Sequence, residues 1–264
     1  MDGRFLSIGS TRRCGRAGTG VPGKNHRPYQ NIRAAADGAD CAPAELFKML
    51  FHTTREVFPE LLDTLPHDDA AARRSRGELR MINGVMGNHR WLRRRLREPQ
   101  FRGHRVLELG AGDGAFARRV WREGITHPAQ WTALDLAPEP KEWPREARWQ
   151  QRDLFTLSVL PEAEIVVANL FLHHLQDRQL AALGRLLPVA CRTFLACEPA
   201  RRCAHVLQGR VLSALAGLSE VTHHDMFVSI RAGFVSDELP DALGLRDWQT
   251  RVSLTALGAY RLVA

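Results

Sequence analysis

Four short apolar runs each end in an acidic or amide side chain, and histidines gather behind the last of them. The first run, Val106-Leu107-Glu108-Leu109, passes into Gly110-Ala111-Gly112-Asp113-Gly114 and then into residues 115–121, which read as a helix. A strand, a tight glycine turn and a helix bring backbone N–H groups against a nucleotide-type ligand. At Gly110 or Gly112 a side chain would collide with such a ligand or forbid a positive φ. The second run, residues 131–135, ends at Asp135-Leu136, where a carboxylate can take two ribose hydroxyls. The third, residues 147–151, leads to Asp153-Leu154, where a carboxylate and the following N–H suit an adenine edge. The fourth, residues 164–169, ends at Asn169-Leu170 and continues as Phe171-Leu172-His173-His174.

Histidine has the unperturbed pKa for general-base work near neutrality. His173 and His174, at the mouth of such a pocket, could take a proton from a phenol or hydroxyl. His223-His224-Asp225 is a second cluster, in which the carboxylate could orient His224 as a base. A metal site would need ligands beyond these that the spacing does not supply, so no metal is expected. The five cysteines (14, 41, 191, 197 and 203) contain no Cys-x-x-Cys pair and read as structural thiols of a cytoplasmic protein.

The elements that must carry these residues follow from the pattern. Residues 1–41 are rich in Gly and Arg without apolar periodicity, and read as a flexible segment. Residues 42–100 read as a helical extension on the substrate side. Leu46, Phe47, Leu50 and Phe51 recur at helical spacing, as do Val57, Phe58, Leu61 and Leu62. A long helix is expected over residues 70–96, with Leu79, Ile82, Val85, Met86 and Leu92 on one side, Met81 and Met86 in the core, and Gly84 and Gly87 permitting close approach. Residues 101–264 form the main α/β domain, with helices over 177–187 and 201–218 and two C-terminal strands about 248–254 and 259–264. Residues 219–242 read as less regular than the core.

The glycine loop alone leaves the cofactor open, because Gly110, Gly112 and Ala115 also satisfy the dinucleotide fingerprint Gly-x-Gly-x-x-Gly/Ala. Taken with the other strand ends, however, the run from Glu108 to Gly114 resembles the first motif of the class I S-adenosylmethionine (SAM) methyltransferases. The Leu-His-His segment after strand four resembles the same family. The resemblance implies a Rossmann-like α/β fold, a seven-stranded, mostly parallel sheet with helices on both faces. It implies SAM as cofactor, held by Glu108, Gly110, Ala111, Gly112, Gly114, Asp135, Leu136, Asp153, Leu154, Asn169 and Leu170. Glu108 would act on the methionine end, usually indirectly.

Acceptor classes can be narrowed. Asn169-Leu170-Phe171-Leu172 stands where enzymes acting on exocyclic amines carry Asp/Asn-Pro-Pro-aromatic, and no Pro-Cys pair offers the nucleophile of cytosine C5 chemistry. The segments around Cys197–Arg201 and Ser229–Phe234 resemble small-molecule methyltransferases found with bacterial type III polyketide synthases, and more distantly those of quinone biosynthesis. The acceptor implied is a phenolic hydroxyl or aromatic carbon of a polyketide, quinone or lipid-like metabolite.

The charge offers an alternative. Net charge is +8, and residues 1–100 hold 18 basic and 11 acidic side chains, while the remainder is near neutral. Only three of the 37 basic residues are lysine, a bias that GC-rich coding produces as readily as phosphate binding. The run Arg90 to Arg97 would grip phosphate or an acidic partner if this were an RNA or protein methyltransferase. The simpler expectation is a solvated helix face with Trp91 or Leu92 turned inward. No apolar run reaches the ~18 residues of a membrane span.

Overall fold

The computed structural model describes residues 54–66 and 69–264. The helix expected around Leu46–Phe51 and the segment 1–41 lie outside the described residues.

Seven strands form one sheet: β1 (Val106–Leu109), β2 (Trp131–Asp135), β3 (Arg148–Gln151), β4 (Ile165–Asn169), β5 (Thr193–Pro199), β6 (Arg251–Leu254) and β7 (Ala259–Val263). Their order is β3-β2-β1-β4-β5-β7-β6. The first five pair in parallel, and β7 runs antiparallel between β5 and β6. The central strands are covered on both faces, which is why β1 and β4 read as continuous apolar runs. Alternate residues separate the two layers. Leu107, Leu109, Val166 and Ala168 pack with Leu180 and Leu239. Val106, Ile165 and Val167 pack with Leu92, Leu96, Phe116 and Val120.

The helices are α1 (Leu61–Thr64), α2 (Ala70–Met86), α3 (Asn88–Leu96), α4 (Ala115–Arg122), α5 (Asp177–Leu186), α6 (Cys203–Ala216), α7 (Glu220–Ala232) and α8 (Glu238–Leu243). Asp69 caps α2, accepting from the N–H groups of Ala71 and Ala72.

Several expectations need correction. The single helix over 70–96 is two, broken at Gly87, whose φ of 68° is a left-handed conformation that ends α2. Gly84 makes no close approach and is exposed, and so is Met81, whereas Met86 is buried. Residues 219–242 contain the regular helices α7 and α8; α7 buries Thr222 and Asp225 on its inward face, which its polar sequence disguised. Of the residues expected on one side of the long helix, Ile82, Met86 and Leu92 are buried, while Val85 is exposed.

The basic run forms α3 with Leu92 and Leu96 inward. Arg93 and Arg97 both reach Glu123, the latter at 2.5 Å, and Arg95 reaches Glu98 at 2.8 Å. Much of the run's charge is therefore spent within the fold.

Candidate active site

The carboxyl ends of β1, β2 and β4 open onto one cavity of about 1350 Å³, roofed by α2, α6 and α7. In open parallel sheets this edge, where strand order reverses, is where ligands bind. Here the reversal falls between β1 and β4.

The glycine loop forms one wall. Gly110 has φ 65°, and a Cβ there would lie 2.4 Å from the Phe171 ring. Gly110 and Gly112 line the cavity, as do Asp135, Leu136, Asp153, Leu154 and Leu170. Asp135 accepts the N–H groups of Gly112 and Ala137, each at 2.7 Å, which fixes its carboxylate beside the loop. Asp153 accepts from the Phe155 N–H at 2.9 Å through one oxygen. Ala111 and Gly114 face away, Ala111 into the core beneath α4 and Gly114 at the α4 cap against Trp143.

Glu108 does not line the cavity. Its carboxyl points to the opposite face of the sheet and accepts Trp131 Nε1–H at 3.0 Å. Burial, reinforced by the charges of Asp135 and Asp113, outweighs that hydrogen bond and pushes it up to about 8. At neutral pH it is mainly the neutral acid.

Asn169 lies outside the cavity lining, in a polar corner with Asn83 and His89. The Asn83 amide nitrogen is 2.9 Å from His89 Nε2, and that of Asn169 is 3.5 Å from the same atom. Among the described residues, the buried side-chain oxygens of Asn83, Asn88 and Asn169 lack hydrogen-bond partners. His89 rests on Phe116 in the first turn of α4, with ring centroids 5.0 Å apart. Burial, helped by Arg93, lowers His89 to about 4, so its ring is a neutral acceptor.

The loop after β4 is the opposite wall. Leu170 has φ 52°, a strained conformation for a branched side chain, and such strain costs about 1–3 kcal/mol. Glu198 at the end of β5 offsets it. Fully buried, it accepts the N–H groups of Phe171 (3.0 Å), Leu172 (2.9 Å) and His173 (3.3 Å), and bonds His173 Nδ1 at 2.7 Å. His173 Nε2 faces Glu60 at 3.4 Å, and the Ser229 hydroxyl donates to the same Glu60 oxygen. Burial would lower His173, but the hydrogen bonds to Glu198 and Glu60 prevail and raise it to about 9. Glu60 is correspondingly held at about 2, the imidazoles outweighing its own burial.

His174 stacks on His173 at 4.2 Å, lines the cavity and lies 3.7 Å from Asp63. Burial, with the neighbouring His173, lowers its proton affinity. His224 is apart from the cavity lining and bonds Asp225 at 3.1 Å. Asp225 also accepts the N–H groups of Leu61 and Leu62, so it caps α1. Sequence reading missed Glu60, Asp63, Glu198 and Ser229. Glu198 follows an apolar strand like the other acids and could have been found by that signal; Glu60 carries none.

No family model matches the sequence, and no curated protein matches it. Solved structures do. The plantazolicin methyltransferase BpumL in complex with SAH (S-adenosylhomocysteine) matches at TM-score 0.54 with 10% identity, over 74% of this chain and 90% of that one. The chain has the Rossmann-like methyltransferase fold. The pyocyanin biosynthetic protein PhzM matches at TM-score 0.50 and 15% identity, over 89% of this chain and 67% of its own. Human N-acetylserotonin methyltransferase in complex with SAM matches at 0.50 and 15%, over 87% and 68%. This methyltransferase fold carries a helical roof, from α2, α6 and α7, that lines the cavity with apolar side chains and with Arg76, Arg80, His205, Gln208 and Ser229. Among the described residues no helix is long and apolar enough to cross a membrane.

Proposed function

We propose that the protein transfers the methyl group of SAM to a small apolar acceptor, a phenolic hydroxyl or aromatic carbon of a polyketide, quinone or lipid-like metabolite. One observation carries this reading: a single cavity joins the glycine loop and the acids of β2 and β3 to an apolar chamber. The neighbours crystallised with SAM or SAH support the cofactor. Leu79, Ile82, Met86, Leu212, Met226 and Ile230 suit a flat or greasy acceptor.

Asp135 would take the ribose hydroxyls and Asp153 the adenine amino group. The bound cofactor supplies a methyl group already made electrophilic by its sulfonium. The chain's task is then to align the acceptor and exclude water. An acceptor hydroxyl would lose its proton into the corner of His174, Asp63 and Glu60, while His173 positions the loop. The ion pairing of the Arg90–Arg97 run makes nucleic acid the weaker alternative.

The test combines binding and transfer. S-adenosylhomocysteine should raise the melting temperature and NADH should not. With methyl-tritiated SAM and a bacterial lysate, label should enter the organic extract. Label confined to the acid precipitate and released by ribonuclease or protease would overturn the acceptor reading, and stabilisation by NADH alone would overturn the cofactor.

A further inference from the structure

Glu60, His173 and His174 each present a ligand atom to one point at the cavity wall, the three atoms lying within 4.8 Å of one another. We propose that they bind a divalent transition-metal cation of the zinc type. The proposal is independent of which acceptor, or even which cofactor, the cavity takes.

The donor set comes first. Two imidazoles and a carboxylate are the ligands that borderline ions such as Zn²⁺ prefer, whereas Mg²⁺ and Ca²⁺ want oxygen alone. Spacing agrees. The 3.4 Å between His173 Nε2 and Glu60 Oε1 is long for a charge-assisted hydrogen bond. It is close to the ~3.3 Å that two ligands subtend at a tetrahedral ion with bonds of about 2.0–2.1 Å.

The surroundings are those of a metal ligand. Glu198 binds His173 Nδ1 at 2.7 Å, so Nε2 is the nitrogen aimed at the cavity, and a bound ion would displace to solvent the proton that Nε2 otherwise directs at Glu60. A carboxylate fixing the far nitrogen is the usual support of a metal-bound histidine. Glu198 is itself locked by three backbone N–H groups, so the imidazole edge is preset. The Ser229 hydroxyl fixes the Glu60 carboxylate in the same way.

Charge favours a cation too. Glu60, Asp63, Glu198 and Asp225 gather about His173 and His174, and the nearby Arg55 guanidinium is turned toward backbone carbonyls and Asp177. Asp63 stands 3.7 Å from His174 as a further oxygen donor. Glu60, Asp63, His173 and His174 all line the cavity, which supplies the entry path and leaves a coordination position facing it. Water or an oxygen-bearing ligand would complete the shell. Sequence spacing hides the group, because Glu60 precedes His173 by 113 residues.

The experiment uses the full-length protein, stripped with chelator and dialysed, and titrated with Co²⁺ while visible d–d absorption is followed. The expected result is one equivalent bound, displaced by Zn²⁺. Glu60→Gln and His174→Gln should each weaken binding at least tenfold with an unchanged far-ultraviolet spectrum, and Glu198→Gln should weaken it by about 10–100-fold. His174→Gln guards against a folding artefact, since that side chain is 29% exposed. Absence of a d–d band at 1 mM Co²⁺ would overturn the proposal. So would a band whose strength and affinity survive in the folded Glu60→Gln and His174→Gln proteins. Neither readout involves methyl transfer, so failure here leaves the proposed reaction to its own test.

Discussion

Replacing Gly110 by alanine isolates the wall between the glycine loop and the loop after β4. The new Cβ would lie 2.4, 2.5 and 2.7 Å from the Cδ2, Cγ and Cβ atoms of Phe171. Ordinary carbon contacts begin near 3.5 Å, so each is about 1 Å too close. Phe171 cannot retreat easily: Glu198 holds its N–H at 3.0 Å and that of Leu172 at 2.9 Å. Overpacking of this kind costs about 1–3 kcal/mol. The left-handed φ of 65° adds about 1–2 kcal/mol for any residue with a Cβ. Together the loss is about 2–5 kcal/mol, or roughly 5–15 °C in melting temperature for a domain of this size. Gly112→Ala is the internal control. Its φ of 60° carries the same strain, but nothing lies within 4 Å of its Cβ, so it should lose only about 1–2 kcal/mol. Urea denaturation of both variants, with calorimetric titration of S-adenosylhomocysteine, measures the difference. Equal losses of stability in the two would refute the role given to Phe171.

Asp135→Ala should leave the fold intact and weaken S-adenosylhomocysteine about 10–100-fold, the worth of about 1.5–3 kcal/mol of charge-assisted hydrogen bonding, measured by calorimetry. Glu198→Ala should cost about 3–5 kcal/mol in urea unfolding, because four donors lose their acceptor in a buried site. Glu108 gives a pH signature. Its folded pKa of about 8 exceeds the ordinary value of 4.5, so its share of stability is full below 4.5 and drains away as pH rises to 8. Glu108→Gln should therefore be more stable than the parent at pH 8 and no more stable at pH 4, as read by denaturation midpoints at the two values.

The sheet was legible because buried parallel strands announce themselves as apolar runs with an acid or amide at the end. Strands β1, β2, β4 and β5 lie close to where those runs stand, while β3, a polar edge strand, is placed by the acid that follows it; the lining residues Gly110, Gly112, Asp135 and Asp153 follow from them. What stayed hidden depends on tertiary geometry. Which side of β1 the Glu108 carboxyl faces is decided by strand alternation and by the indole of Trp131, whose buried N–H claims it. The break at Gly87 lies within an unbroken helical pattern, where a glycine reads equally as a tolerated interior residue. His173 reads as a base, and nothing in the sequence singles out Glu60. Only the fold places that acid opposite the imidazole, because the contact joins segments remote in sequence. The regularity of α7 was masked by Thr222, His223, His224 and Asp225; of these the interior accommodates Thr222 through Ser75 and Asp225 through the α1 backbone, while His223 is exposed.

The Arg55 guanidinium donates to the carbonyls of His173 (3.1 Å), Leu175 (2.5 Å) and Ala232 (2.8 Å), pairs with Asp177 and lies 4.5 Å over the Phe234 ring. One side chain thus ties the segment leading to α1, the loop after β4 and the end of α7 together. Leu207, Val211 and Leu215 recur at one-turn intervals along α6, all lining the chamber and all exposed. The apolar lining of the chamber thus continues out to solvent along α6.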